Sequence, residues 1–127
     1  MQLRVYYEDT DCGNVVYYAN YLKYMERSRT EFLRERGIDL AEYHDKGLLF
    51  AVTEANIKYK APARYNDVLE ATSSIIEVTP VTMLFSTLIR RSPDGLLLVT
   101  GDVRIACITT EGKPQRIPKE IKIKITP

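Results

Sequence analysis

The sequence predicts an α+β domain, with one long helix set against a sheet of antiparallel strands. Three observations carry this. A strand-forming run at the N-terminus leads into a single stretch of helical spacing. Four later segments have the alternation or apolar density of strands. The order strand, helix, four strands then lets one helix cover one face of a sheet.

Taken in order, Leu3-Arg4-Val5-Tyr6-Tyr7 alternates and is rich in strand formers. An acidic turn, Glu8-Asp9-Thr10-Asp11-Cys12-Gly13, ends it. The spacing then predicts a helix over 16–36: Tyr21 and Leu22, Met25, Ser28 and Arg29, and Phe32 and Leu33 fall on one mostly apolar side. Gly37 is a natural stop. The stretch 38–49 reads as a short helix or loop, punctuated by Gly47. From Leu48 to Ala61 the residues Ala51, Thr53, Ala55, Ile57 and Tyr59 alternate with Phe50, Val52, Glu54, Asn56 and Lys58. The first set is the expected packed face of a strand. Pro62 ends it. Val68–Val78, Val81–Arg91 and Leu96–Thr109 complete the strands, with Gly101 expected to mark a bulge or bend. Ser92-Pro93-Asp94-Gly95 has proline and glycine where a type I turn wants them. In the tail, Pro118 with Glu120 suggests a helix start, while Ile121, Ile123 and Ile125 alternate like a strand.

The 127 residues suit a single domain spanning 1–127. A chain this size buries roughly two-thirds of its unfolded surface, enough for a core. The formal charge of +1 and scattered basic residues give no footprint for nucleic acid. No apolar run is long enough to cross a membrane, and the N-terminus reads as a strand rather than a signal peptide. Two cysteines, Cys12 and Cys107, make no disulfide framework, so a reduced, cytoplasmic protein is expected. Large apolar residues on both faces of the 81–91 strand leave sheet surface for a second protomer.

The acidic turn is the chemical feature. A carboxylate on a turn that feeds a helix start lies beside unpaired N–H donors and a partial positive charge. Asp11 suits an Asx turn or helix cap equally well by residue type. Other chemistries fit poorly. A calcium loop counted from Asp9 would need glycine and a carboxylate where Asn14 and Asn20 stand. A Cys–His hydrolase would have to pair Cys12 with His44, the one histidine, which lies among Glu42, Asp45 and Lys46. A metal site would need more His or Cys ligands, and no glycine-rich phosphate loop is present.

Asp9-Thr10-Asp11 followed by Gly13, Val15, Tyr17, Tyr21 and Glu26 resembles the strand-to-helix motif of hotdog-fold acyl-CoA thioesterases. The branches in view are the 4-hydroxybenzoyl-CoA thioesterases and the small thioesterases found with the Tol-Pal system. The likeness continues through Tyr59-Lys60-Ala61-Pro62-Ala63-Arg64 and Asp67-Val68-Leu69-Glu70. It implies a hotdog fold, hydrolysis of acyl-CoA thioesters without a cofactor, and a homodimer or a dimer of dimers (a homotetramer). It also favours a helix for the tail.

By that resemblance Asp11 is the catalytic carboxylate, as nucleophile or general base, and Asp9 is structural. The backbone N–H of Tyr18 is the oxyanion donor, with help near Gly13. Tyr17 and Tyr18 also offer packing side chains. Phe50 aligns with positions that line the acyl pocket, although core packing explains it as well. Lys58, Lys60, Arg64, Arg90, Arg91 and Arg104 are cations available, by charge alone, for the phosphates of coenzyme A. Two departures stand out. Tyr18 occupies the place where the Tol-Pal branch has histidine, so an imidazole proton shuttle is lost. Thr79-Pro80-Val81 stands where the aromatic-acyl branch has a basic cluster. A dehydratase and a non-catalytic acyl-CoA binding protein are the competing functions on the same fold.

Overall fold

The computed structural model describes residues 1–126, so the final residue of the expected domain lies outside it. Its elements are β1 (Gln2–Arg4), α1 (Asn20–Glu35), α2 (Leu40–His44), β2 (Leu48–Tyr59), β3 (Val68–Val78), β4 (Thr82–Ser92), β5 (Leu97–Thr109) and α3 (Lys119–Ile125). All five strands form one sheet in the order β1-β3-β4-β5-β2, and each neighbouring pair is antiparallel. β2 therefore lies at an edge.

The helix forms where apolar residues recur every three to four positions. Tyr21, Tyr24, Met25, Ser28 and Leu33 are buried along it. They face the inner side of the sheet, where β4 alternates Met83, Phe85, Thr87 and Ile89 inward. Two apolar clusters result. One joins Tyr21, Tyr24 and Met25 to Val5, Val16, Leu69, Ile89 and Val99. The other joins Leu33 and Ile38 to Met83, Phe85, Cys107, Ile117, Ile121 and Ile125. The hydroxyls admitted between helix and sheet satisfy one another: Ser28 and Ser73 lie 2.7 Å apart, and Ser73 and Thr87 2.9 Å.

The sequence reading needs correction in five places. β1 stops at Arg4, and Tyr7–Asp9 form a 3₁₀ turn. The helix starts at Asn20, four residues later than its spacing suggests. Val16 bridges Thr10 instead, and its N–H donates to the Ala63 carbonyl at 2.9 Å. The face of β2 changes midway: a bulge between Val52 and Glu54 inserts one residue and shifts the alternation, so Leu48 and Phe50 pack against the second cluster while Thr53 and Ala55 are exposed. Gly101 holds regular register with Ile57 and Thr87. A Cβ there would lie 2.5 Å from the Met25 methyl, so the glycine gives the end of the Met25 side chain room against the sheet, and a larger residue would make it shift. The reversal after β4 is wider than a type I turn: the Gly95 N–H donates to the Arg91 carbonyl, and Ser92–Pro93 is cis. In the tail α3 is a helix, with Ile121 and Ile125 buried one turn apart and Ile123 exposed.

Candidate active site

The segment between β1 and α1 is irregular but fully tied. The Asp11 N–H donates to the Val15 carbonyl at 2.9 Å, closing a small loop whose turn residue, Asn14, has φ 64°. Asn tolerates this left-handed conformation better than other non-glycine residues. Asp9 anchors both sides of the loop. Its carboxylate accepts the Tyr6 N–H at 2.8 Å. Its carbonyl accepts the Tyr17 N–H at 2.9 Å and the Asn20 side-chain amide at 2.9 Å.

Asp11 is exposed at the tip of this loop. One carboxylate oxygen, Oδ1, accepts the Gly13 N–H at 2.8 Å as an Asx turn. Among the described residues nothing in the protein bonds to the other oxygen. The Asx-turn reading and a chemical reading of Asp11 are therefore compatible, since one oxygen fixes the loop and the other faces outward. Gly13 is corrected by the same contact. Its N–H is already held by Asp11, so it is not an open donor for an oxyanion.

The donors that do stay open are at the start of α1. The N–H groups of Val16 and Tyr17 are taken by Ala63 and Asp9, and that of Asn20 by Tyr17. Among the described residues the N–H groups of Tyr18 and Ala19 have no protein acceptor. Ala19 caps the helix with no side-chain hydrogen bond. Two adjacent amides at the positive end of a 16-residue helix are thus left without acceptors among the described residues.

Beside these amides runs a groove of about 280 Å³ lined by Val16, Tyr18, Tyr21, Tyr59, Lys60 and Pro62. Tyr18 is 61% exposed, and its ring meets Tyr59 edge-on at 6.3 Å. Tyr17 tilts against Tyr18 at 4.9 Å. The Tyr18 hydroxyl, then burial and the Asp11 carboxylate, hold the Tyr17 phenol above its ordinary value. Sequence reasoning missed Tyr59 and Tyr21 as groove residues; the motif Tyr59-Lys60-Ala61-Pro62 was the available signal.

The other expected residues divide. Arg64 joins the site region through its bridge to Val15, and Lys60 lines the groove. Lys58 is exposed on β2 beside Thr100 and Asp102. Arg91 is bound to Asp94 at 2.6 Å, Arg90 to the Gly95 carbonyl, and Arg104 to Glu77 and Thr82. These three cations serve the ends of strands and do not converge on Asp11. Phe50 lies with Leu40, His44 and Leu48 beneath α2. It is nine residues along β2 from Tyr59, roughly 30 Å at strand rise, so within one protomer it does not reach the groove.

Comparison with known proteins agrees with this architecture. Residues 5–125 match the family described as the Thioesterase-like superfamily. The chain is 36% identical over 120 residues to the acyl-CoA thioester hydrolase YbgC of Escherichia coli, covering 94% of this chain and 89% of that protein. It is 38% identical to the acyl-CoA thioesterase YbgC of Haemophilus influenzae, covering 94% and 88%. The solved structure of a probable thioesterase from Bartonella henselae superposes with a TM-score of 0.85 at 37% identity, covering 93% and 97%. The sheet curled around α1 is the hotdog fold, and this chain belongs to the Thioesterase-like superfamily.

Proposed function

We propose that this protein is an acyl-CoA thioester hydrolase in which Asp11 acts on the thioester carbonyl and the open amides of Tyr18 and Ala19 receive the oxyanion. The supporting observation is that the short segment 11–19 carries both an exposed carboxylate with one oxygen unbonded and two donors without acceptors among the described residues, and that Tyr18 of this segment lines the groove. A thioester carbonyl is a good electrophile with a stable thiolate as leaving group. Asp11 attacks it to form a mixed anhydride, or removes a proton from the attacking water. Either route places negative charge on the carbonyl oxygen, where each aligned donor contributes about 3–4 kcal/mol in well-studied cases. The thiolate of coenzyme A then leaves and takes a proton from solvent; on the anhydride route water next cleaves the anhydride, releasing the free acid and restoring the Asp11 carboxylate.

The working unit is a homodimer or a dimer of dimers. β2 is a 12-residue edge strand, and Val52–Asn56 in its middle are all exposed. Such an edge pairs readily with a second strand. Antiparallel pairing centred on that run carries Phe50 of the partner subunit toward the Lys58–Tyr59 end, so the acyl pocket draws on both chains. A reducing, cytoplasmic setting suits the two free cysteines, Cys12 and Cys107.

The test is thiol release from short, long and aromatic acyl-CoAs by wild type and Asp11→Asn. The asparagine keeps the acceptor for Gly13 and removes the base. We expect a loss in kcat of about a hundredfold or more. Full activity in the variant overturns the mechanism.

A further inference from the structure

Tyr59 has no role in the mechanism proposed above. It ends β2, and its hydroxyl donates to the carbonyl of Tyr18 at 3.2 Å. That carbonyl belongs to the peptide plane that carries the Ala19 N–H. The only other hydrogen bond to it among the described residues is a long one, from Tyr21 N–H at 3.4 Å. The ring of Tyr59 is braced by Tyr21, 5.6 Å away, and by Tyr18.

We propose that Tyr59 is a positioning residue, whose hydroxyl fixes the Tyr18–Ala19 peptide so that the Ala19 N–H stays aimed at the developing oxyanion. The inference rests on the thioesterase reading above. Three features of the structure support it. First, among the described residues the helix start has no side-chain cap, and the one bond α1 gives this carbonyl, from the Tyr21 N–H, is long at 3.4 Å, so α1 itself holds the tilt of this peptide only loosely. Second, the segment 59–64 grips the segment 15–21 at three points. These are Tyr59 on Tyr18, the Ala63 N–H on the Tyr21 hydroxyl at 3.0 Å, and the Val16 N–H on the Ala63 carbonyl, which bridges Val15 to Arg64. Of the three, the Tyr59 contact alone falls on the peptide with the open Ala19 donor. Third, a hydrogen bond accepted by a carbonyl polarises its amide and strengthens the N–H on the far side as a donor. Burial holds the Tyr59 phenol above its ordinary value, so it remains a protonated donor through neutral pH.

Tyr59→Phe removes the hydroxyl alone. The side chain is 48% exposed and the replacement is isosteric, so the fold is retained. We expect kcat to fall about fivefold to tenfold while KM stays within about twofold, the pattern of an interaction felt in the transition state. Tyr59→Leu also removes a groove wall, and its KM rises as well. The readout that a merely structural role would not move is the amide of Ala19. In Tyr59→Phe its NMR shift changes and its hydrogen exchange quickens, while the Val16 amide, held by Ala63, is unaltered. Unchanged kcat with an unchanged Ala19 amide overturns the inference. A wild type that releases no thiol from any acyl-CoA defeats the thioesterase reading instead, and the Ala19 amide still decides whether Tyr59 holds that peptide.

Discussion

The two ends of α1 are closed by different means. At the C-terminal end the closure is apolar and complete. Gly37, at φ 75°, lets its own N–H reach the Arg34 carbonyl and the Ile38 N–H reach that of Leu33. Leu33 and Ile38 then meet in one cluster, and α3 seals it with Ile121 and Ile125. At the N-terminal end the closure is made of hydrogen bonds from distant loops, with Tyr17 and Tyr18 exposed and two amides open. The contrast separates stability from chemistry. Apolar burial contributes free energy but hides polar groups. Hydrogen-bonded closure fixes geometry and leaves donors in reach of a substrate.

The sharpest way to break that contrast is to open the sealed end. Phe85 is fully buried and meets Phe32 edge-on at 5.7 Å. Phe85→Ala should lower unfolding stability by about 3–5 kcal/mol in a urea titration. At temperatures where the variant stays folded, its kcat should match wild type. Asp11→Asn should do the reverse, leaving the urea midpoint in place while activity collapses. A loss of kcat in folded Phe85→Ala would show that the two ends are coupled.

A smaller effect sharpens the comparison from the site end. Tyr24 and Tyr21 lie in the cluster beneath the open amides. Among the described residues the Tyr24 hydroxyl is buried without a hydrogen-bond partner, and burial, then the Asp9 carboxylate, raise its phenol well above the ordinary value. Burial also raises Tyr21, against the opposing bond from Ala63. Below pH ~10 both folded and unfolded chains keep these protons, and the shift has no effect. Above that, the unfolded chain ionises first, so stability falls as pH rises, by about 1.4 kcal/mol per unit for each tyrosine until the folded value is reached. Urea titrations at pH 9 and 11 should show the decline, and Tyr24→Phe should remove much of it. A flat response would mean the hydroxyl is not desolvated as the structure has it.

How much of this was legible in the sequence differs between the two ends as well. The sealed end could be read: the Leu33 spacing, Gly37 and the β4 alternation are local signals with local causes. The strand-to-helix motif also pointed to Asp11 and Tyr18. What could not be read depends on partners far along the chain. Val16 and Tyr17 continue the helical spacing, yet Ala63 and Asp9 hold their N–H groups and delay the helix to Asn20. The bulge at Val52–Glu54 has no glycine to announce it and reverses the face of β2. The neighbour that packs on Gly101 is the end of the Met25 side chain, which no periodicity places opposite it. Tyr59 reaches Tyr18 across 41 residues. Arg91 is different: Asp94 stands three residues away, a local partner that the sequence offered and that a choice of phosphate ligands by charge alone passed over.

The smallest effect tests whether the sealed end depends on its turn as well as its burial. In Gly37→Ala a Cβ would meet only the Lys124 ammonium at 3.6 Å, an ordinary contact. The cost is therefore conformational, since an L-residue at φ 75° is disfavoured by about 1 kcal/mol. A urea titration should show that loss, with Gly37→Asn losing less because asparagine enters the left-handed region more easily. Activity should be unchanged in both. If Gly37→Ala costs nothing, the Schellman bonds are dispensable and burial of Leu33, Ile38, Ile121 and Ile125 alone closes this end. If it costs several kilocalories, the turn directs the chain into α2, and the apolar seal follows from it.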